Sequence, residues 1–196
     1  MRHFLTPLAL FALAAAPAAA HAQAKVWDID VTHSELGFKV RHLVSRVPGT
    51  FTQWSGAITA DPANLAGGSV EVTIQTPSIT TYNERRDAHL KSPDFFDVAT
   101  HPTMTFKSSK VELNGTAMKV YGTLTMRGVS KPVVLEGEFL GSTGSGDTQR
   151  VGFTAKTTIN RMDYGVSWNR AAEGGGAVLS DNVEIELTVA ATPRKG

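Results

Sequence analysis

The chain has 196 residues, with 19 Lys plus Arg against 18 Asp plus Glu and a formal charge of +1. A nucleic-acid partner would call for clustered positive charge, and here basic and acidic residues are interspersed. There is no cysteine, which excludes disulfide staples, thiol catalysis and lipid attachment at a cysteine.

Met1, Arg2 and His3 are followed by an almost unbroken apolar run, Phe4 to Ala16, and a small-residue stretch, Ala18 to Ala24. This is the pattern of a cleavable secretory signal peptide, too short in its apolar part to serve as a membrane span. Ala20-His21-Ala22 places cleavage after Ala22, and Ala22-Gln23-Ala24 leaves cleavage after Ala24 open. The expected organisation is therefore a leader over 1–22 and one domain over 23–196, exported to the periplasm. About 170 residues suffice for one well-cored domain. Without Arg2 the mature chain is formally neutral. No later segment is long and apolar enough for a membrane helix, so no integral membrane segment is expected after processing.

From Trp27 onward apolar and polar residues alternate with period two, the signature of half-buried strands. Strands are expected near 26–31, 34–43, 50–60, 69–76, 103–113, 118–127, 133–141, 150–160 and 182–191, the first two readable as one bent strand. Turn signals fall at Gly67-Gly68, Asn114-Gly115, Ser130-Lys131-Pro132 and Gly141 to Gly146, where glycine and asparagine accept positive φ. Such short links imply an all-β, up-and-down antiparallel barrel of about eight strands, with a sandwich as the alternative. Residues two apart share a face. Leu36, Phe38, Val40 and His42 therefore lie together, as do Met104 with Phe106, Leu124 with Met126, and Val151, Phe153 and Ala155. Ordinary core packing accounts for any one of them, and only a void between them would make a binding site.

The segment 83–97, NERRDAHLKSPDFFD, breaks the strand pattern and predicts a short helical insert that caps the barrel mouth. Asn83 suits the N-cap, Glu84 the positive end, Lys91 the negative end, and Pro93 stops the helix. Asp87 and Lys91, four apart, are expected to pair on a solvated face, while Arg85 and His89 share another. Of the adjacent Phe95 and Phe96, one is expected beneath the helix and the other against the barrel mouth. A lid of this kind offers Arg85, Arg86 and His89 to the polar end of an amphiphile.

Catalytic patterns are missing from the sequence. No Gly-x-Ser-x-Gly elbow and no His-Glu-x-x-His occurs, and His33, His42, His89 and His101 lack metal-ligand spacing. Asp94 and Asp97 read as capping and turn residues. No enzyme activity, metal or cofactor is expected. Arg161 and Asp163 bracket a bend ahead of Tyr164 and Trp168, for which a local ion pair and a place at the ligand mouth weigh equally.

Taken in order, Trp27-x-Ile29-Asp30-x-x-His33-Ser34, Phe38-x-Val40-x-His42, Gly49-x-Phe51, Arg86-Asp87-x-His89-Leu90, Asp94-Phe95-Phe96-Asp97, Pro102-x-x-x-Phe106, Gly122-x-Leu124-Thr125-x-x-Gly128-Val129 and Asn160-Arg161-x-Asp163-Tyr164-Gly165 resemble the YceI-like polyisoprenoid-binding periplasmic proteins. The resemblance covers essentially the whole mature chain. It implies an extended lipocalin-like barrel holding a polyprenyl compound, a quinone tail or another long amphiphile, and no established reaction. The expected apolar contacts are Phe38, Val40, Phe51, Leu90 and Phe95, together with Phe96, Phe106, Leu124, Met126 and Phe153. His42, Arg85, His89, Arg161, Asp163 and Tyr164 are the polar candidates. The alternative is an interaction module with a solid interior that supports a membrane quinone-linked enzyme as a transient partner. A homodimer is left open.

Overall fold

Eight of the strand segments close into a ring. The computed structural model describes residues 24–61, 64–173 and 175–195; the expected signal peptide and both cleavage sites lie outside the described residues, except Ala24. Within them are β1 (Lys25–Ile29), β2 (Glu35–His42), β3 (Ser45–Phe51), β4 (Trp54–Asp61), β5 (Asn64–Gln75), β6 (Ile79–Thr80), α1 (Glu84–Lys91), β7 (Thr103–Asn114), β8 (Ala117–Met126), β9 (Val129–Thr143), β10 (Arg150–Asn160) and β11 (Leu179–Pro193). The hydrogen-bonded order is β1-β4-β5-β7-β8-β9-β10-β11, and β11 pairs back onto β1. Every pairing is antiparallel.

The bent-strand expectation explains the seam. β11 pairs with β2 from Leu179 to Thr188, then with β1 from Ala191 to Pro193. β1 and β2 are thus one strand interrupted by a 3-10 turn at Val31–His33. Its partner is interrupted too, with β3 beside β2 and β4 beside β1. The break is held by side chains: Asp30 accepts from the Thr32 amide, Ser34 Oγ donates to the Asp30 carbonyl, and Ser34 Oγ accepts from the Ala190 amide. Beyond the break, β2, β3 and β6 extend the wall toward α1.

Several turns sit elsewhere than expected. Gly67-Gly68 lies inside β5, and the β4–β5 link falls at Asp61 to Asn64, where the register shifts. Gly67 has φ +84, and a Cβ at Gly68 would come within 3.1 Å of Ala60 and of the Thr59 carbonyl, so the two glycines form a tight bulge. Ser130, Lys131 and Pro132 belong to β9. The turn is at Arg127 and Gly128, φ 50 and 73, the doubly positive pair of a type I′ hairpin. Pro132 is tolerated because β9 pairs with β8 there but joins β10 only from Glu136 onward. β9 likewise runs on to Thr143 through a bulge opposite Gly152, and β3 starts at Ser45.

The interior is walled by two apolar clusters. One gathers Trp27, Ile58, Phe106, Val120 and Phe153, and the other Leu36, Phe51, Ile74, Met126 and Tyr164. Trp27 is 1 % exposed and donates its indole N–H to the Ala60 carbonyl at 3.2 Å. Strand glycines shape the wall. A Cβ at Gly49 would lie 2.2 Å from the Phe38 ring, and one at Gly122 would lie 2.5 Å from the Phe106 ring and 2.7 Å from the Lys107 carbonyl. Both rings therefore rest against the wall in space a larger residue would occupy.

Gly122→Ala is expected to force Phe106 off the wall and lower unfolding free energy by about 1–3 kcal/mol, read by urea titration. A second expectation is acid sensitivity. Arg150 foremost, then His33, hold the Asp30 carboxyl down to about 2, through contacts of 2.7 Å and 2.8 Å. An unfolded aspartate titrates near ~3.9, so the folded state binds fewer protons in between. This stabilisation is full above that range and is lost as pH falls from about 4 to about 2. Urea midpoints across that window should fall less steeply for Asp30→Asn.

Candidate ligand cavity

The ring encloses a cavity of about 740 Å³, within the roughly 300–1,000 Å³ typical of small-molecule sites. It passes through both clusters, from Ile58, Leu65 and Val70, past Phe106, Val120 and Phe153, to Leu36, Phe38 and Ile74 and then to the residues beneath α1. The wall is overwhelmingly hydrocarbon. Its ionisable lining residues are His42, Arg85, Arg86, His89 and Arg161, with no carboxylate among them. All five lie toward α1 and the segment after β10, so the cavity is apolar in depth and cationic or protonatable at one end.

α1 forms where the capping signals place it, with Asn83 Oδ1 accepting from the Arg86 amide at 3.0 Å. The expected Asp87–Lys91 pair is not made. Asp87 instead accepts from the Thr80 hydroxyl at 2.9 Å, the Thr81 amide at 2.8 Å and the Thr81 hydroxyl. Burial raises the Asp87 pKa, but the bonds from Thr81 and Thr80 outweigh that and hold it below the ordinary aspartate value. Arg86 adds Nε to the Thr81 hydroxyl at 2.6 Å and Nη2 to the Thr81 carbonyl at 2.9 Å. The helix is thereby strapped to the chain that leads into it.

The exit of the helix is fixed from below. Arg127, in the β8–β9 turn, donates through Nη1 to the carbonyls of Pro93, at 2.9 Å, and Phe95. Residues 93–96 form turns, and Phe95 and Phe96 both border the cavity while dividing as expected, Phe95 beside His89 of α1 and Phe96 against Phe51 of the barrel wall. Phe96 packs edge-on against Phe51 with ring centres 5.7 Å apart. Phe95, His89 and Trp168 form a three-ring cluster with centres 5.0–5.2 Å apart. His89 Nε2 also lies 2.8 Å from Asp94 Oδ2.

Arg161 borders the cavity but plays a different part from that expected. It is 4 % exposed, with Nε donating to the Ser180 carbonyl at 2.9 Å and Nη1 to the carbonyls of Val166 and, at 2.9 Å, Trp168. Nη2 is buried without a hydrogen-bond partner, 3.5 Å from Asp181. Burial lowers the Arg161 pKa and Asp181 opposes this; a guanidinium remains charged regardless. The side chain holds the segment carrying Val166 and Trp168 against β11 through Nε and Nη1, while Nη2 faces Asp181. Of the two alternatives weighed for Arg161 and Asp163, the local ion pair between them is not made: Arg161 faces Asp181 instead. Asp163 is exposed and does not line the cavity, and Tyr164, 2 % exposed, is packed in the wall behind the lining.

The remaining expected residues reach the cavity: Phe38, Val40, His42, Phe51, Arg85, His89 and Leu90, and likewise Phe95, Phe96, Phe106, Leu124, Met126 and Phe153. Sequence pattern singles out neither Trp168, which lines the cavity, nor Arg127, which holds the chain after α1. Arg127 was visible only as the non-glycine half of an Arg-Gly turn, and Trp168 follows an irregular stretch without periodicity. Among the described residues no three His, Asp or Glu side chains gather as a metal site, and no helix is long and apolar enough to cross a membrane.

Comparison with known proteins agrees with this architecture. The profile of the YceI-like domain matches residues 27–191. A UPF0312 protein of Vibrio cholerae is 37% identical over 169 residues, covering 85% of this chain and 89% of that protein, and one of Staphylococcus epidermidis is 37% identical over 165 residues, covering 83% and 94%. The crystal structure of a Campylobacter jejuni YceI protein superposes with a TM-score of 0.68 at 34% identity, covering 85% of this chain and 96% of that one. A polyisoprenoid binding domain from Saccharophagus degradans shares the fold with a TM-score of 0.64 at 16% identity, covering 88% and 100%.

If Arg127 latches the lid, Arg127→Ala should speed amide exchange across 84–98 by about tenfold or more, the loss of charge-assisted bonds worth ~1.5–3 kcal/mol. Exchange in β7 and β8 should be unchanged. A uniform acceleration throughout the barrel would show a general stabilising role and no latch.

Proposed function

Since the chain belongs to the YceI-like family, we propose that it is a periplasmic binding or carrier protein for a polyisoprenoid or similar long-chain amphiphile, held tail-first in the barrel with its head beneath α1. The observation that carries this reading is the cavity, about 740 Å³ of hydrocarbon-lined space whose ionisable residues all stand at one end and include no carboxylate. A far smaller apolar cavity, of about 150 Å³, stays dry and takes up benzene. Water gains little here, whereas an alkyl or prenyl chain leaves water with about 0.8 kcal/mol per buried methylene, so one five-carbon unit contributes roughly 3–4 kcal/mol before ordering costs.

Arg85 and His89 are the side chains suited to meet the head group: Arg161 spends Nε and Nη1 on carbonyls, whereas His89 is held only through Nε2, by Asp94. A charge-assisted bond from either adds about 1.5–3 kcal/mol, less than one prenyl unit. The tail sets affinity and the head sets orientation. The interaction-module alternative called for a filled interior and finds no support in a hollow one.

Phe106→Asp with Leu124→Asp places two carboxylates in the wall. The folded variant is expected to carry no lipid in solvent extracts that yield it from the wild type. Val70→Trp, which keeps the lining apolar but fills space, should shorten the longest chain bound. Unchanged cargo in both variants would remove the interior as the site.

A further inference from the structure

We propose that the β2–β3 hairpin tip, Leu43 and Val44 between Arg41 and Arg46, is a docking element that inserts into the surface of an anionic lipid bilayer next to the cavity. Three local choices in this turn work against folding. Leu43 has φ 53, a left-handed conformation that glycine adopts freely and a bulky side chain does not. Leu43 is 45% exposed and Val44 is fully exposed, at 103%. Arg41 and Arg46 stand directly opposite one another on the two strands, where like charges repel. Departures of this kind from local consistency mark positions shaped by function.

Chemistry and position select the occupant. Two apolar side chains at the apex with arginines two residues below on each strand form an amphipathic wedge: the apex enters the acyl boundary while the guanidinium groups stay among phosphates. Arg46 is partly neutralised by Glu184, whose oxygens lie 2.5 and 2.6 Å away, and Arg41 donates to the Leu43 carbonyl at 3.0 Å, bracing the tip. The base of the hairpin is cavity wall, since His42, Val47 and Leu179 line it, His42 pairs with Leu179, and the Leu43 amide donates to Val178 at 2.8 Å. A bilayer bound at the tip thus lies beside the end where the cavity's cationic residues gather. The proposal rests on the carrier reading, for a protein that exchanges amphiphiles must meet the membrane that holds them.

The test is flotation of the full mature chain with phosphatidylcholine vesicles, with and without phosphatidylglycerol, comparing wild type with Leu43→Gly plus Val44→Ser. Glycine relieves the positive φ, so the variant's thermal midpoint should be equal or higher, which separates docking from folding. The wild type is expected to float with phosphatidylglycerol vesicles and to be released by salt, and the variant to float about tenfold less, with Arg41→Gln reducing binding about fivefold. Equal flotation of variant and wild type overturns the proposal, as does a wild-type dimer that the double substitution makes monomeric, which would assign the tip to a second copy. Flotation is read whether or not the cavity is occupied. Failure to float therefore removes the docking site alone, and failure to extract any cargo removes the carrier reading beneath it.

Discussion

Closing eight antiparallel strands into a ring gives each of them two neighbours over part of its length and obliges it to send alternate side chains into a shared interior. A ring of this size can be filled by those side chains or can hold a ligand, and the difference is decided by how far they reach toward the axis. Here Phe38 and Phe106 lean over Gly49 and Gly122, so their bulk covers the wall and leaves the centre open. The hollow follows from that pairing of phenylalanine with strand glycine, and the positions of lid, latch and mouth follow from the hollow.

An open apolar interior needs a cover, and the cover is held by polar contacts at its margins. Asp87 and Arg86 fasten α1 to Thr80 and Thr81, Arg127 holds the carbonyls after the helix, and Arg161 fastens the segment bearing Trp168 to β11. These are side chains that a sequence reader assigns to solvent or to a ligand head group. Their use as fasteners leaves Arg85, and His89 beyond its one contact with Asp94, as the groups most available at the cavity end. Fasteners made of a few hydrogen bonds, and not of a shared core, leave a lid that can open locally while the ring stays closed.

The fold was legible because its determinants are local and repetitive. Period-two alternation, Asn114-Gly115 and the Asn83 cap each act within a few residues, and the strand count, the bent first strand and α1 all followed from them. What escaped was non-local. Gly67-Gly68 reads as a turn until Ala60 and Thr59 are seen pressed against it, and Pro132 reads as a corner until β9 is seen to lack its second neighbour there. In the cavity, alternation identified the strand-borne lining well, since side-chain direction in a strand is fixed by parity. It says nothing of Arg161, Asp163 and Tyr164, which stand in a 3-10 turn at Arg161–Tyr164, where parity has no meaning; of the three only Arg161 reaches the cavity. Phe95 and Phe96, in a turn, divide between the helix and the barrel wall as expected.

The central claim is that the hollow of the barrel holds one amphiphilic chain. Native mass spectrometry of the protein, purified without detergent, tests it most directly. The account expects a mass above that of the polypeptide by one discrete lipid, released on solvent extraction and restored by adding a polyprenyl lipid. A bare polypeptide mass that stays bare when such lipids are supplied would contradict it.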